Sequence, residues 1–150
     1  MKLTTTLNRI RAYCPSPALM RTMLEHLGPD YDPDADINLL TILESNGVQD
    51  TLWCLRATEQ DSHRTAVKLG LAFAERALSI WGRAYQNDSR IRDTLRMVRA
   101  WLGDTASTED VQAVTCVAAY AADAAVRAAY ATAADAEIEA QAEIIRGILT

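Results

Sequence analysis

The sequence lacks the patterns that indicate sheets, disulfide frameworks or membrane spans. Its 150 residues include one phenylalanine, six glycines and four prolines, and β-branched and aromatic residues never alternate over a strand-length run, which disfavours a sheet. The three cysteines are an odd number and lie far apart, so we expect reduced, buried thiols and no disulfide. The most apolar window, residues 111–134, is mostly alanine and carries charges, so we expect no membrane span.

Positive charge is also scarce. The net charge of −5 argues against direct nucleic-acid binding, because neutralising phosphates requires a basic surface. The N-terminus lacks the apolar segment of a signal peptide. We therefore expect a cytoplasmic protein, or one that meets a basic partner.

The first helices are marked by local start and stop signals. Leu3, Leu7 and Ile10 have helical spacing and predict a short first helix that ends near Tyr13. A second helix is expected from the Ser16–Pro17 pair, an N-cap followed by proline at the first helical position. Gly28 is placed to end it.

A third helix is predicted over residues 37–45, with Asp36 as its cap and Asn46–Gly47 as its end, and another helix follows at once. Two longer amphipathic helices come next. Their apolar positions recur every three or four residues: Val67, Leu71, Ala74, Leu78, Trp81 and Tyr85 in the first, and Ile91, Leu95, Val98 and Leu102 in the second. The fold class is therefore all-α: one domain over residues 1–150, built as a compact bundle of about seven to eight helices.

The C-terminal part, from about Ser107 to Leu149, predicts long alanine-rich helix. Its apolar stripe changes phase beyond Ala134. The apolar residues that then lie on the side that is polar earlier in the helix are Ile138, Ile144, Ile145, Ile148 and Leu149. We therefore expect a kink or break at residues 129–136. The alternative is an unbroken helix whose ends pack on different partners, which would imply an oligomer, for example a homodimer through the alanine-rich helix.

An acidic loop, residues 29–36, separates the second and third helices. Its four aspartates alternate as at the start of a calcium-binding loop, but Ala35 stands where glycine is needed and Thr41 where a bidentate glutamate is needed. A solvated loop and a contact surface for a basic partner remain as interpretations. The candidate partner-binding residues are Asp30, Asp32, Asp34 and Asp36.

Arginines at helical spacing form a second, less favoured candidate site. Arg92, Arg96 and Arg99 share one helix face and suit phosphates or an acidic protein surface. A solvated face with local ion pairs is the favoured interpretation, because the net charge is negative and Trp101 is the only aromatic residue nearby. His26 and His63 have no cysteine or carboxylate at ligand spacing. Because catalytic and phosphate-binding motifs are also absent, we predict no catalytic residues, no metal and no cofactor.

From Asn46 to Ala57 the chain resembles the glycine/aspartate–Leu-Trp block of a family of small, helical immunity proteins found in phages, prophages and bacteria. The resemblance covers residues 46–149. Further blocks agree in order: Ala72 to Leu78 with Trp81, Asp88 to Arg90 leading to Ala100 to Gly103, and the alanine- and tyrosine-rich tail around Tyr120 and Tyr130, which ends in Ala142 to Arg146.

The resemblance implies a non-catalytic protein of bacterial or phage conflict, which binds a partner enzyme in the bacterial cytoplasm and neutralises it. We expect a protein target that is basic or processes nucleic acid, met either in toxin immunity or in phage anti-defence of the anti-CRISPR kind. Two alternatives stay open. One is a phage regulator that contacts nucleic acid through the arginine stripe, and the other is an enzyme without a readable motif.

Overall fold

A computed structural model describes residues 3–81, 90–107 and 134–150. These residues are mostly helical, which confirms the all-α class. The elements are β1 (Thr4–Thr5), α1 (Leu7–Ala12), α2 (Pro17–Leu27), β2 (Ile37–Asn38), α3 (Leu39–Cys54), a 3₁₀ turn (Leu55–Ala57), α4 (His63–Trp81), α5 (Arg90–Leu102) and α6 (Ala134–Leu149). Six α-helices thus lie within the described ranges, somewhat fewer than the seven or eight predicted for the whole chain.

The chain forms two compact units. Unit 1 comprises residues 1–66 and 145–150, and unit 2 comprises residues 67–144. The single domain over residues 1–150 stays a prediction.

Unit 1 contains a small antiparallel sheet, which corrects two predictions. Thr4 pairs with Asn38 and Thr5 with Ile37, so Leu3 lies before a strand and not in the first helix. The helix cap is Asn38, whose Oδ1 accepts a hydrogen bond from Leu40 N at 2.9 Å. Asp36 is not the cap, because the extended pairing of β2 delays the start of α3 by two residues.

The second helix begins and ends where the sequence predicts. Ser16 Oγ accepts from Leu19 N at 3.1 Å, Pro17 is the first helical residue, and Gly28 follows the end at a φ of 92°. Because this φ favours glycine, the chain can turn out of α2 at that point without strain.

A break inside α3 confirms the predicted stop at Asn46–Gly47. Gly47 has φ 82° and ψ −173°, so the helix is interrupted there and resumes at once. The side-chain amide of Asn46 donates to Leu19 O and to Asp50 Oδ2, both at 3.0 Å. The bond to Leu19 ties the break to α2, the helix against which α3 packs, and the bond to Asp50 joins the two sides of the break.

The N-terminal segment is held against the residues that follow the 3₁₀ turn. Thr5 Oγ1 donates to Ala57 O at 2.6 Å, and Glu59 N donates to Thr4 O at 2.9 Å. Arg9 adds bonds from Nε to Ala57 O and from Nη2 to Thr58 O, at 3.3 and 2.9 Å. These hydrogen bonds therefore connect two segments that lie far apart in the sequence, residues 4–9 and 57–59.

Each unit has its own buried apolar side chains. In unit 1 they include Leu3, Leu7, Ile10, Leu19, Met23, Ile37, Leu39, Ile42, Ile145 and Leu149, and in unit 2 they include Leu69, Ala74, Leu95, Val98 and Ala142. The burial of Leu95 and Val98 agrees with the stripe predicted for α5. The stripe of α4 agrees only in part, because Ala74 is buried but Val67 and Leu71 are half-buried, and Leu69, which lies outside the predicted stripe, is buried.

Ion pairs link the helices of unit 2. Arg76 Nε lies 2.7 Å from Glu137 Oε2, which joins α4 to α6. The neighbouring Glu75 pairs with Arg99, which joins α4 to α5. Adjacent residues of opposite charge on α4 therefore bind partners on two different helices.

Much of the alanine-rich segment lies outside the described residues. Residues 108–133 are not described, so the predicted break at residues 129–136 falls mostly outside the described residues. Tyr85, at the end of the first long stripe, lies outside them as well. Within α6 the predicted apolar side is buried only in part: Ile145 and Leu149 are buried, Ile144 and Ile148 are half-buried, and Ile138 is 43% exposed. Among the helices of the described ranges, none is both long and apolar enough to cross a membrane.

Candidate functional site

The acidic loop lies between α2 and β2, with its four aspartates, Asp30, Asp32, Asp34 and Asp36, exposed. Asp32 Oδ1 accepts from Asp34 N at 2.9 Å, and Ala35 N donates to Asp32 O at 3.1 Å. The Tyr31 hydroxyl donates to Asp36 O at 3.1 Å. The loop therefore has internal order while its carboxylates face the solvent.

Asn8 connects this loop to the first turn of α1. Its side-chain amide donates to Asp34 Oδ1 at 2.7 Å, and its backbone N–H donates to Pro33 O at 3.2 Å. Its Oδ1 accepts from Arg11 Nη1 at 3.2 Å. Sequence reasoning did not identify Asn8, because 26 positions separate it from Asp34 and no local pattern indicates the pairing.

The charge of the surrounding sequence reinforces that of the loop. Between Arg21 and Arg56 the chain carries seven carboxylates and neither lysine nor arginine. Such a segment attracts a positively charged surface and repels a nucleic-acid backbone. In the described residues no three side chains of histidine, cysteine, aspartate or glutamate are grouped so that they could hold a metal ion.

The arginine stripe lies on the exposed face of α5. Arg96 Nη1 is 2.9 Å from Asp93 Oδ1 in the same helix, and Arg99 pairs with Glu75 of α4. Arg92 is engaged as well. An incoming phosphate would therefore compete with existing carboxylate partners for at least two of the three guanidinium groups.

The described cysteines differ in environment. Cys54 is fully buried, and burial, with a smaller contribution from the negative charge of Asp50, raises the pKa of its thiol to about 12. A thiol of this kind stays protonated and is a poor nucleophile. Cys14 is exposed, which corrects the expectation of buried thiols, because it follows the end of α1 in an irregular segment, while Cys116 lies outside the described residues.

Trp53 and Arg56 form a stacked pair at the end of α3. The Arg56 guanidinium carbon lies 4.8 Å from the centre of the indole ring, and Arg56 Nε donates to Trp53 O at 3.0 Å. The indole is half-buried and the guanidinium above it is exposed, so the cation covers part of the aromatic surface.

Comparison with known proteins identifies the family. The family model described as Imm-5 like putative immunity protein matches residues 56–144. No curated protein and no solved structure matches the chain. Since the match spans more than half of the sequence, the chain belongs to this Imm-5 like family of immunity proteins.

Proposed function

We propose that the chain is a non-catalytic immunity protein that binds a partner enzyme in the bacterial cytoplasm and neutralises it. Membership of the Imm-5 like family is the observation that carries this proposal. An inhibitor of this kind needs a surface that fits its target, and neither a cofactor nor a catalytic group.

The acidic loop is the contact surface of this proposal. Its four exposed carboxylates are held on an ordered loop that is anchored to α1 through Asn8, so little conformational freedom is lost on binding. A basic target, such as an enzyme that processes nucleic acid, has a positive cleft that complements this loop. Complementary charge raises the rate of encounter and disfavours partners of the wrong sign.

An acidic contact surface of this kind also suits a phage protein that inhibits a basic defence complex, as an anti-CRISPR protein does. The identity of the captured target distinguishes this role from toxin immunity. A homodimer formed through the alanine-rich helix is compatible with either role.

A nucleic-acid-binding regulator that uses Arg92, Arg96 and Arg99 is the weaker alternative, because Arg96 and Arg99 already pair with carboxylates. An enzyme without a readable motif is the third. A gel shift at low salt separates the regulator from the inhibitor, since an inhibitor of the proposed kind retards no nucleic acid.

The first experiment captures the target. A tagged copy is purified from the native host, the enzyme that accompanies it is identified and purified, and its activity is titrated with the chain. We expect one equivalent of the chain to abolish the activity. Full activity in the presence of excess chain would contradict the proposal.

The second experiment replaces Asp30, Asp32, Asp34 and Asp36 with asparagine. Asparagine keeps a side-chain oxygen for the bonds that Asp32 and Asp34 accept, so the loop keeps its shape and loses its charge. We expect the association rate with the captured enzyme to fall about tenfold or more at low salt, and its salt dependence to flatten.

The matched control removes the same amount of charge elsewhere. It carries four exchanges at exposed positions outside the loop: Asp61→Asn, Asp93→Asn, Glu139→Gln and Glu143→Gln. We expect the control to bind with nearly the rate of the natural chain. Equal losses in the two variants would show that net charge, and not the loop, guides the encounter.

A further inference from the structure

We infer that Arg56, held on the indole of Trp53, binds a carboxylate on the surface of the target enzyme and thereby selects that enzyme among basic partners. This inference rests on the proposed function, because it concerns how an inhibitor recognises its target. It adds one cationic contact of defined chemistry to the acidic loop.

The guanidinium of Arg56 is restrained although it is exposed. Its central carbon lies 4.8 Å from the centre of the Trp53 ring, and its Nε donates to Trp53 O at 3.0 Å. The ring and the carbonyl oxygen thus hold the same side chain at two points. Little side-chain freedom is therefore left to lose when a ligand binds.

The two terminal nitrogens of Arg56 are the groups that can bind a ligand. Within residues 3–81, 90–107 and 134–150, neither a hydrogen bond nor an ion pair engages them. Their parallel N–H donors match the two oxygens of a carboxylate. A pair of charge-assisted hydrogen bonds of this kind is among the strongest contacts that side chains make.

Arg9 lies close to this site but is occupied by the chain's own groups. Its Nε and Nη2 donate to Ala57 O and Thr58 O, at 3.3 and 2.9 Å, and its Nη1 lies 3.7 Å from Glu59 Oε1. Glu59 offsets its charge, and most of its donors are used. Arg9 therefore does not extend Arg56 into a basic patch.

An isolated cation in acidic surroundings favours a compact anion. Arg56 is the only lysine or arginine between Arg21 and Arg64, a stretch rich in aspartate and glutamate. A nucleic-acid backbone requires several cations, and such a stretch repels it. One carboxylate on a protein surface needs only the one guanidinium. The ligand class is therefore an aspartate or glutamate side chain of a protein.

The first turn of α1 connects Arg56 to the acidic loop. Asn8 donates to Asp34 Oδ1 in the loop, and the next residue, Arg9, donates to Ala57 O beside Arg56. Because consecutive residues contact both places, one partner can cover the loop and Arg56 together. A basic surface that carries a carboxylate at the right position fits both. A basic surface without one places positive charge against the guanidinium, which lowers affinity.

The affinity of the captured enzyme for three chains tests this contact: the natural chain, Arg56→Gln and Arg21→Gln. Loss of a positive charge should by itself strengthen attraction to a basic enzyme. We nevertheless expect Arg56→Gln to raise the Kd about tenfold or more, because it removes a specific contact. Arg21→Gln, the matched control at another exposed arginine, should not raise the Kd more than about twofold. Urea denaturation verifies that both free variants are folded.

Cross-linking identifies the group that Arg56 contacts. Arg56→Lys places an amine at this position, and Arg21→Lys is its control. A carbodiimide condenses an amine with a carboxylate that touches it, and the oxygen that is lost leaves with the carbodiimide as a urea. The chain has only two lysines of its own, Lys2 and Lys68, so few other amines compete. We expect mass spectrometry of the saturated complex to find an amide between position 56 and an aspartate or glutamate of the enzyme, and none from the control.

The opposite results separate the inference from the proposed function. An unchanged Kd for Arg56→Gln, or a complex of Arg56→Lys without the amide, would overturn the inference while inhibition by the natural chain upholds the proposed function. An oligonucleotide that the natural chain retains and Arg56→Gln releases would assign the site to phosphate, which overturns the inference as well. Failure of the natural chain to inhibit the captured enzyme would overturn both.

Discussion

Single residues of unit 1 show how burial determines chemistry. The thiol of Cys54 is completely enclosed, whereas that of Cys14 is exposed. The aspartates of the acidic loop are exposed and thus accessible to a partner, while Asn8 donates to Asp34 Oδ1 and to Pro33 O, and Tyr31 donates to Asp36 O. The loop and its charges are predictable from sequence because proline and aspartate are local signals. The Asn8 contact is not, because it joins positions that only the tertiary fold brings together.

Alkylation distinguishes the two cysteines. At about pH 8 iodoacetamide should modify Cys14 readily and leave Cys54 unmodified until the protein unfolds, because reaction requires an accessible thiolate. Trypsin cuts after Arg11, Arg21 and Arg56, so each cysteine is read from its own peptide by mass spectrometry. Equal modification of the two in the folded protein would refute the buried position of Cys54.

Cys54 also predicts a pH dependence. Its pKa is raised from an ordinary 9.0 to about 12 in the folded protein, so between these values the folded chain binds this proton more tightly than the unfolded chain. The free energy of unfolding should therefore fall as the pH rises through this range. At neutral pH the thiol is protonated in both states, so the free energy of unfolding is fully retained there and should not depend on the titration of this group. In a Cys54→Ala variant the alkaline decline, followed by urea denaturation, should be shallower. An identical decline in both proteins would contradict this.

At the scale of elements, the helices show which structural features local sequence determines. Ser16, Pro17 and Gly28 predict α2 correctly because capping and left-handed backbone are local properties of these residues. The strand pair is different. Leu39 N donates to Leu3 O at 3.2 Å, and each strand is only two residues long, so no alternation is present to reveal it. Tertiary pairing therefore decides where α3 begins.

Two glycines provide a test of the break in α3. Gly47 has a φ of 82°, which strains any residue with a Cβ atom, whereas Gly70 lies within α4, where a Cβ atom would contact nothing within 4 Å. We expect Gly47→Ala to lower the free energy of unfolding by about 1–2 kcal/mol. As the matched control, Gly70→Ala should raise it by up to about 1 kcal/mol, because alanine favours helix. Urea denaturation measures both, and a stabilising Gly47→Ala would disprove the positive φ.

At the scale of the whole molecule, composition and periodicity together predicted the helical class. Glycine is scarce, and the apolar residues recur every three or four positions, which is the spacing of a helix face. The division into two compact units has no such signal, since no proline- or glycine-rich linker marks residues 66–67 or 144–145. The immunity family was predicted from short blocks within residues 46–149, and the family match over residues 56–144 confirms it, while residues 46–55 of the first block lie outside the match. The sequence does not identify the target, because an acidic surface complements basic partners in general and does not distinguish one from another.

Hydrogen exchange of the complex with the captured enzyme tests the account most directly. It compares every backbone amide in the free and the bound chain, so it locates the contact without relying on a substitution. We predict slower exchange at residues 28–38 in the bound chain, with α5 (Arg90–Leu102) unchanged. Slowing confined to α5, with the acidic loop exchanging as it does in the free chain, would contradict the account.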